Sequence, residues 1–393
     1  MHRILTVIAC FFIMLCIGSV YAWSIIASEL IEHYHFHVFQ SQILFGVLIA
    51  IFPLTMIFAG KLGKLGKRIM HRYFGYISGI LFLCGYTIAS FSHGNFFILL
   101  LGIGLFAGTA TGFGYWVALT TPVQWFPHRK GLVTGITAAG FGLGAVFLSQ
   151  IAEILLVNGY TVLQLFKFIG IVYGLVIIAL STFIRQVPPV PGSAEPHAKA
   201  SDFIRTKPFV KLFAGIFLGT FAGLLIIGSL HLIGGQYGIS AHILILGVAF
   251  FAVANFLGRI LWGLFSDHVG AGKSLVLALL FQSVAIASLA LFPLNNTLYL
   301  FLVVCTGFGF GGNFVLFAKE TAQLFGLHNL GTVYPHVFMG YAIAGIAGPL
   351  SGGALYDHFA SFTSAILLAS LMSLAGGLLF VNEIRSVPHE YRA

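Results

Sequence analysis

The sequence predicts an all-α membrane protein of twelve transmembrane helices, and three observations carry that prediction. The chain is 59% apolar over 393 residues, with only 7% Asp, Glu, Lys and Arg, where a soluble domain carries about 25%. Twelve separate apolar runs reach roughly the twenty residues that cross a bilayer. Lys and Arg gather on every second connection between those runs.

The runs lie near 4–26, 41–60, 73–91, 96–119, 131–156, 163–184, 210–234, 241–264, 273–293, 296–318, 331–355 and 361–381. They are not β-barrel strands, which last about ten residues and alternate in polarity. The first run, from Ile4, is too long for a signal-peptide core and is read as the first membrane helix. Cys10, Cys16, Cys84 and Cys305 all lie inside apolar runs with no CxxC pair, which fits helix packing and not disulfides or metal ligation.

The basic residues set the orientation. Lys61, Lys64, Lys67, Arg68 and Arg72 follow the second helix, and Arg129 and Lys130 the fourth. Arg185, Lys199, Arg205, Lys207 and Lys211 follow the sixth, Lys273 the eighth, Lys319 the tenth, and Arg385 and Arg392 lie in the tail. All stand on the side of the N-terminus. The opposite connections carry Glu29, Glu32 and Asp357, with Lys167 the one basic exception. Positive charge marks the cytoplasmic side, so both termini are expected there. The formal charge of +9 is then a matter of topology and anionic lipid headgroups, not of nucleic acid. Minimal loops point to a bacterial inner membrane.

A hydrophilic linker, 185–209, holds Pro188, Pro189, Pro191, Gly192 and Pro196 and divides a six-helix half, 1–184, from a second, 210–393. The halves repeat. An offset of 200 places Gly131 on Gly331, Gly140 on Gly340 and Trp125 on Phe325. After the eighth helix stands Gly263-x-x-x-Asp267-x-x-Gly270; after the second stands a shortened copy from Gly60, with Lys64 in place of the acid. Two related halves are the footprint of a transporter whose substrate sits between them.

These features resemble the major facilitator superfamily, over the whole chain. A narrower set resembles its oxalate:formate antiporter branch, close to monocarboxylate transporters. It comprises Gly18-Ser-Val-Tyr21-Ala-Trp23-Ser24, Gly112-Phe-Gly114-Tyr115, and Pro122-Val-Gln-Trp125-Phe126-Pro127 running on to Gly131. It continues with Gly135 to Ala145, Asn255-Phe-Leu-Gly258-Arg259 with Trp262-Gly263, Gly311-Gly312-Asn313-Phe314, Phe325-Gly326, and Tyr341 ahead of Gly348-Pro349. The resemblance implies a major facilitator fold, a monomer, and alternating access.

Arg259 is the most informative residue. An arginine at a helix centre costs about 2.5–3.5 kcal/mol on insertion scales, so it should face a cavity or a partner. Its planar fork suits a carboxylate. The resemblance makes it a substrate-binding cation; the alternative is an arginine that snorkels or pairs internally. The family's oxalate carriers add a lysine on the eleventh helix, where Tyr341 stands here. One cation instead of two favours a monocarboxylate over a dianion. Tyr21, Trp23, Tyr115 and Tyr341 complete the expected substrate site, with hydroxyls to donate and rings to pack.

Asp267 is expected to latch the inner gate with a basic partner. Lys319 and Glu320 are either a gate pair or a charged helix end, and Lys319 pointing inward would restore the second cation. His231 and His336 are intramembrane and are candidates for proton coupling or for plain hydrogen-bonded packing. His33, His35 and His37 alternate on the first outer loop and are read as solvated, not as a metal site. No nucleophile with a base and no phosphate loop appears, so neither an enzyme nor a cofactor is expected. The predicted function is a secondary transporter of a small organic anion, as antiporter or proton symporter. The alternative is an efflux carrier for drug-like or siderophore-like compounds.

Overall fold

The computed structural model describes residues 2–63, 70–126, 130–187, 200–326 and 329–384. Lys64, Lys67, Arg68, Arg129, Lys199, Arg385, Arg392 and Pro188, Pro189, Pro191 and Pro196 of the linker lie outside them. Eleven described helices are long and apolar enough to cross a membrane: α1 His2–Tyr34, α2 Val38–Leu62, α3 Met70–Ser90, α4 Phe96–Pro122, α5 Gly135–Val157, α6 Val162–Ser181, α7 Lys207–Gly235, α8 Ala241–Val269, α9 Ala271–Leu291, α10 Asn296–Phe325 and α11 Val333–Phe359. A shorter apolar helix, α12 Thr363–Leu379, completes the twelve. No strand occurs among the described residues. Large apolar side chains such as Phe97, Val284 and Leu371 are exposed, as a lipid-facing surface demands.

Polar residues start several helices. The side chains of Asn95, Thr161, Thr206 and Asn295 accept from backbone N–H groups of the first turns of α4, α6, α7 and α10. A helix end near lipid needs such partners, because water is scarce there. Several helices run further than hydropathy predicts. α8 continues to Val269 and ends at Gly270, whose φ of 91° suits glycine. Asp267 therefore sits in the last turn of α8 and not in a turn beyond it. α10 likewise runs to Phe325, so Lys319 and Glu320 are inside a helix, not at its end. α1 reaches Tyr34, which puts His33 on the helix, 3.4 Å from Glu29.

Three helices depart from regular geometry. α1 tightens to a 3₁₀ segment over Gly18–Ala22. α4 opens to a π-helical stretch over Leu100–Ala107. α11 is jointed: the helical segment Leu330–Val337, which leads into α11 and contains Pro335, meets Met339–Phe359 at Phe338.

Contacts between the first six helices and the last six follow an exchange pattern. α2 packs on α11, and α5 packs on α8, while α1 packs on α7. The second and fifth helices of one set thus meet the fifth and second of the other, as a two-fold arrangement requires. On the face away from the termini, three hydrogen bonds cross between the sets. Gln42 Nε2 donates to the Gly228 carbonyl at 3.0 Å, the Phe39 N–H donates to Asp357 at 3.1 Å, and His242 pairs with Glu153. Nearer the terminal face Leu330–Val337 still packs on α2. A Cβ on Gly142 of α5 would lie 3.5 Å from Phe256 of α8, but one on Gly135, two turns nearer that face on the same side, would meet nothing within 4 Å. These hydrogen bonds join the two sets at the far face.

Candidate substrate site

Close backbone packing brings the central residues together. A Cβ on Gly144 of α5 would lie 2.4 Å from the Gly18 carbonyl carbon of α1, so the two backbones touch. This sets the Tyr21 ring edge-on to Phe141, centroids 5.2 Å apart. A Cβ on Gly311 of α10 would lie 2.3 Å from the Asn255 carbonyl of α8. That contact lays Phe314 over the Arg259 guanidinium, 4.3 Å from its central carbon to the ring centroid.

Seven helices contribute to the resulting cluster. The hydroxyls of Tyr21 on α1 and Tyr341 on α11 share a hydrogen bond of 3.3 Å. Phe52 of α2 packs against Tyr115 of α4, Phe141 of α5 and Tyr341 at centroid distances of 4.8, 5.9 and 6.0 Å. Phe310 of α10 meets Tyr21 at 5.9 Å, and Phe338, at the joint of α11, stacks on Tyr341 at 4.8 Å and 12°. Arg259 lies ten residues before the end of α8, about 15 Å of helix rise, which is half of a hydrocarbon core of about 30 Å.

The arginine is 7% exposed. Its Nε donates to Asn255 Oδ1 at 3.3 Å and its Nη1 to the Ala138 carbonyl of α5 at 3.0 Å. Its Nη2 is buried with no hydrogen-bond partner, and so is Asn255 Nδ2. A cation held among rings and hydroxyls, with N–H groups unspent, is equipped to take a carboxylate.

Four of the five residues expected from the sequence therefore converge: Arg259, Tyr21, Tyr115 and Tyr341. Trp23 is buried outside this cluster and stacks on Phe45 at 6.1 Å and 11°. Lys319 does not turn towards Arg259. It pairs with Asp267 and donates to Ser266 Oγ at 3.0 Å, which ties α10 to α8. The Asp267 partner thus comes from within the second six helices, and the pair does not bridge the two sets. Glu320, its neighbour, is buried. His336 lies against the Phe203 ring, centroids 5.5 Å apart, where the chain leads into α7. His231 is half-buried on α7, one turn beyond Gly228.

Sequence reasoning missed the donor on Asn255, the backbone partner Ala138 and the packing phenylalanines. Asn255 carried a signal: it is four residues before Arg259, on the same face of the helix. The phenylalanines carried none among 41.

A bundle of apolar helices in two exchanging sets around one buried cation defines an integral, multi-pass membrane transporter. Comparison with known proteins gives the family. The Major Facilitator Superfamily profile matches residues 6–335 and 212–392, and the chain belongs to that superfamily. It is a transporter and not an enzyme. The chain is 28% identical over 354 residues to the MFS-type transporter YhjX of Escherichia coli (strain K12), covering 88% of this chain and 86% of that one. It is 30% identical over 278 residues to the oxalate:formate antiporter of Oxalobacter formigenes, covering 68% and 65% respectively. It is 25% identical over 297 residues to the aspyridones efflux protein apdF of Emericella nidulans, covering 72% and 58%.

Proposed function

We propose that this transporter carries a small organic anion, a mono- or dicarboxylate with the monocarboxylate favoured, by alternating access. It works as an antiporter or proton symporter. The observation that carries this reading is Arg259, a buried cation that keeps Nη2 unspent within a cage of tyrosines and phenylalanines. An unpaired N–H buried in the membrane is costly unless a ligand takes it up. Similarity to an oxalate:formate antiporter supports the anion class. Tyr341, uncharged and bonded to Tyr21, supports one carboxylate in place of two.

Two six-helix halves, 1–184 and 210–393 with the linker 185–209 between them, would rock about this site. The carrier acts as a monomer in a bacterial inner membrane, termini in the cytoplasm.

Radiolabelled formate, pyruvate and oxalate uptake into proteoliposomes tests the reading. Arg259→Gln is expected to abolish uptake while the protein stays folded and monodisperse. Full transport by that variant sinks the assignment. The second reading, efflux of drug-like compounds, draws on the aromatic lining and on the likeness to a fungal efflux protein. It predicts thermal stabilisation of the purified protein by amphiphilic compounds and none by the three acids.

A further inference from the structure

We propose that Asn255 is the second donor of the substrate site, so that one carboxylate bridges Arg259 Nη2 and Asn255 Nδ2. This inference rests on the anion reading above and deepens it.

The argument begins from what Arg259 has left to give. Nε is spent on Asn255 and Nη1 on the Ala138 carbonyl. One face of the guanidinium is covered by Phe314. A fork-to-fork grip on a carboxylate needs two nitrogens of the guanidinium, and only Nη2 is unspent. The second carboxylate oxygen needs a donor from elsewhere.

Asn255 supplies one in a fixed orientation. A guanidinium can only donate, so the atom of Asn255 facing Nε must be the amide oxygen. The amide nitrogen then points away from Nε with both its hydrogens. Asn255 is fully buried, and Nδ2 meets no acceptor in the protein. Nη2 lies on the same edge of the guanidinium as Nε, so the two unspent donors flank one hydrogen bond. Helix geometry keeps them together, since residues four apart share a face. Two neighbouring donors carrying one positive charge match one carboxylate and leave nothing equivalent for a second.

The amide thus selects for geometry where a lysine would select for charge. It reads the second oxygen of a planar carboxylate without adding a cation, and it favours monoanions such as formate or pyruvate over oxalate.

The test uses purified protein in liposomes with radiolabelled formate, pyruvate and oxalate, comparing wild type, Asn255→Leu and Arg259→Gln. Asn255→Leu keeps the branched shape and removes the donor, together with the Oδ1 that Arg259 Nε engages. It is expected to raise the KM for the monocarboxylates by about tenfold to a hundredfold, with kcat changed far less. A packing role would instead lower the yield of folded protein or kcat at constant KM, and either outcome overturns the proposal. Solid-state NMR of the Asn255 side-chain amide gives a direct reading. Its protons move downfield on addition of pyruvate if Nδ2 donates to the carboxylate, and stay in place if Asn255 only steers the arginine. Loss of transport in Arg259→Gln together with an unchanged Asn255→Leu sinks the Asn255 role alone. Intact transport in Arg259→Gln sinks the anion reading itself.

Discussion

The hydroxyls of Tyr21 and Tyr341 meet at 3.3 Å across a sequence separation of 320 residues, and so join the first and last six helices at the centre of the molecule. The resemblance read from the sequence implies a second cation at the place of Tyr341. Tyr341→Lys is expected to move the preference towards oxalate at the expense of monocarboxylates, because a second charge offsets the second carboxylate. Competition by unlabelled oxalate against labelled pyruvate measures it. Unchanged competition shows that position 341 does not face the substrate.

The Lys319–Asp267 pair is half in solvent, with Asp267 63% exposed. Such pairs contribute about 1 kcal/mol or less. A double-mutant cycle with Lys319→Ala and Asp267→Asn should return a coupling of that size in thermal unfolding. KM for the anion should stay within a factor of two or so, given how little a pair of this strength couples to a distant site. A large KM increase in Lys319→Ala would identify it as a second substrate cation.

At the far face, Gln42 donates to the Gly228 carbonyl from a fully buried position. Gln42→Ala removes this bond between the sets while the carbonyl keeps its partner within α7, at a cost of about 0.5–1.5 kcal/mol to the contact at this face. Spin labels at positions 39 and 357, which approach each other here, should report a longer distance in a larger fraction of molecules. An unaltered distance distribution would show that other contacts hold this face shut.

Gly144 allows α1 and α5 to touch backbone to backbone. Gly144→Leu forces them apart, and overpacking in a close-packed interior costs about 1–3 kcal/mol or more. The variant should give little monodisperse protein in detergent. A normal yield would mean that α1 shifts without loss of the fold.

The number of helices was legible because hydropathy and charge act over whole segments. Their ends were less so. α8 and α10 run past their apolar stretches because Asp267 and Lys319 satisfy each other on the helix surfaces, which average hydropathy cannot register. Arg259 stood out because a lone charge in an apolar run has few explanations. Tyr21, Tyr115 and Tyr341 followed from the motifs around them. Trp23 did not join them, because it lies about half a turn further along α1, where it stacks on Phe45 instead. Ala138 was invisible for a simple reason: it contributes a backbone carbonyl, which every residue possesses.

The joint in α11 has a mechanical consequence. Its far portion is seated on α2, where a Cβ on Gly345 would lie 2.1 Å from Ile49. Its near portion ends beside the Phe203 ring through His336. Phe338, between them, is both the elbow of the helix and the ring stacked on Tyr341. A straight rod would transmit any tilt of one end to the other. A bent lever with its fulcrum at Phe338 would let the near end swing while the far end stays seated, and every such swing would turn the ring stacked on Tyr341.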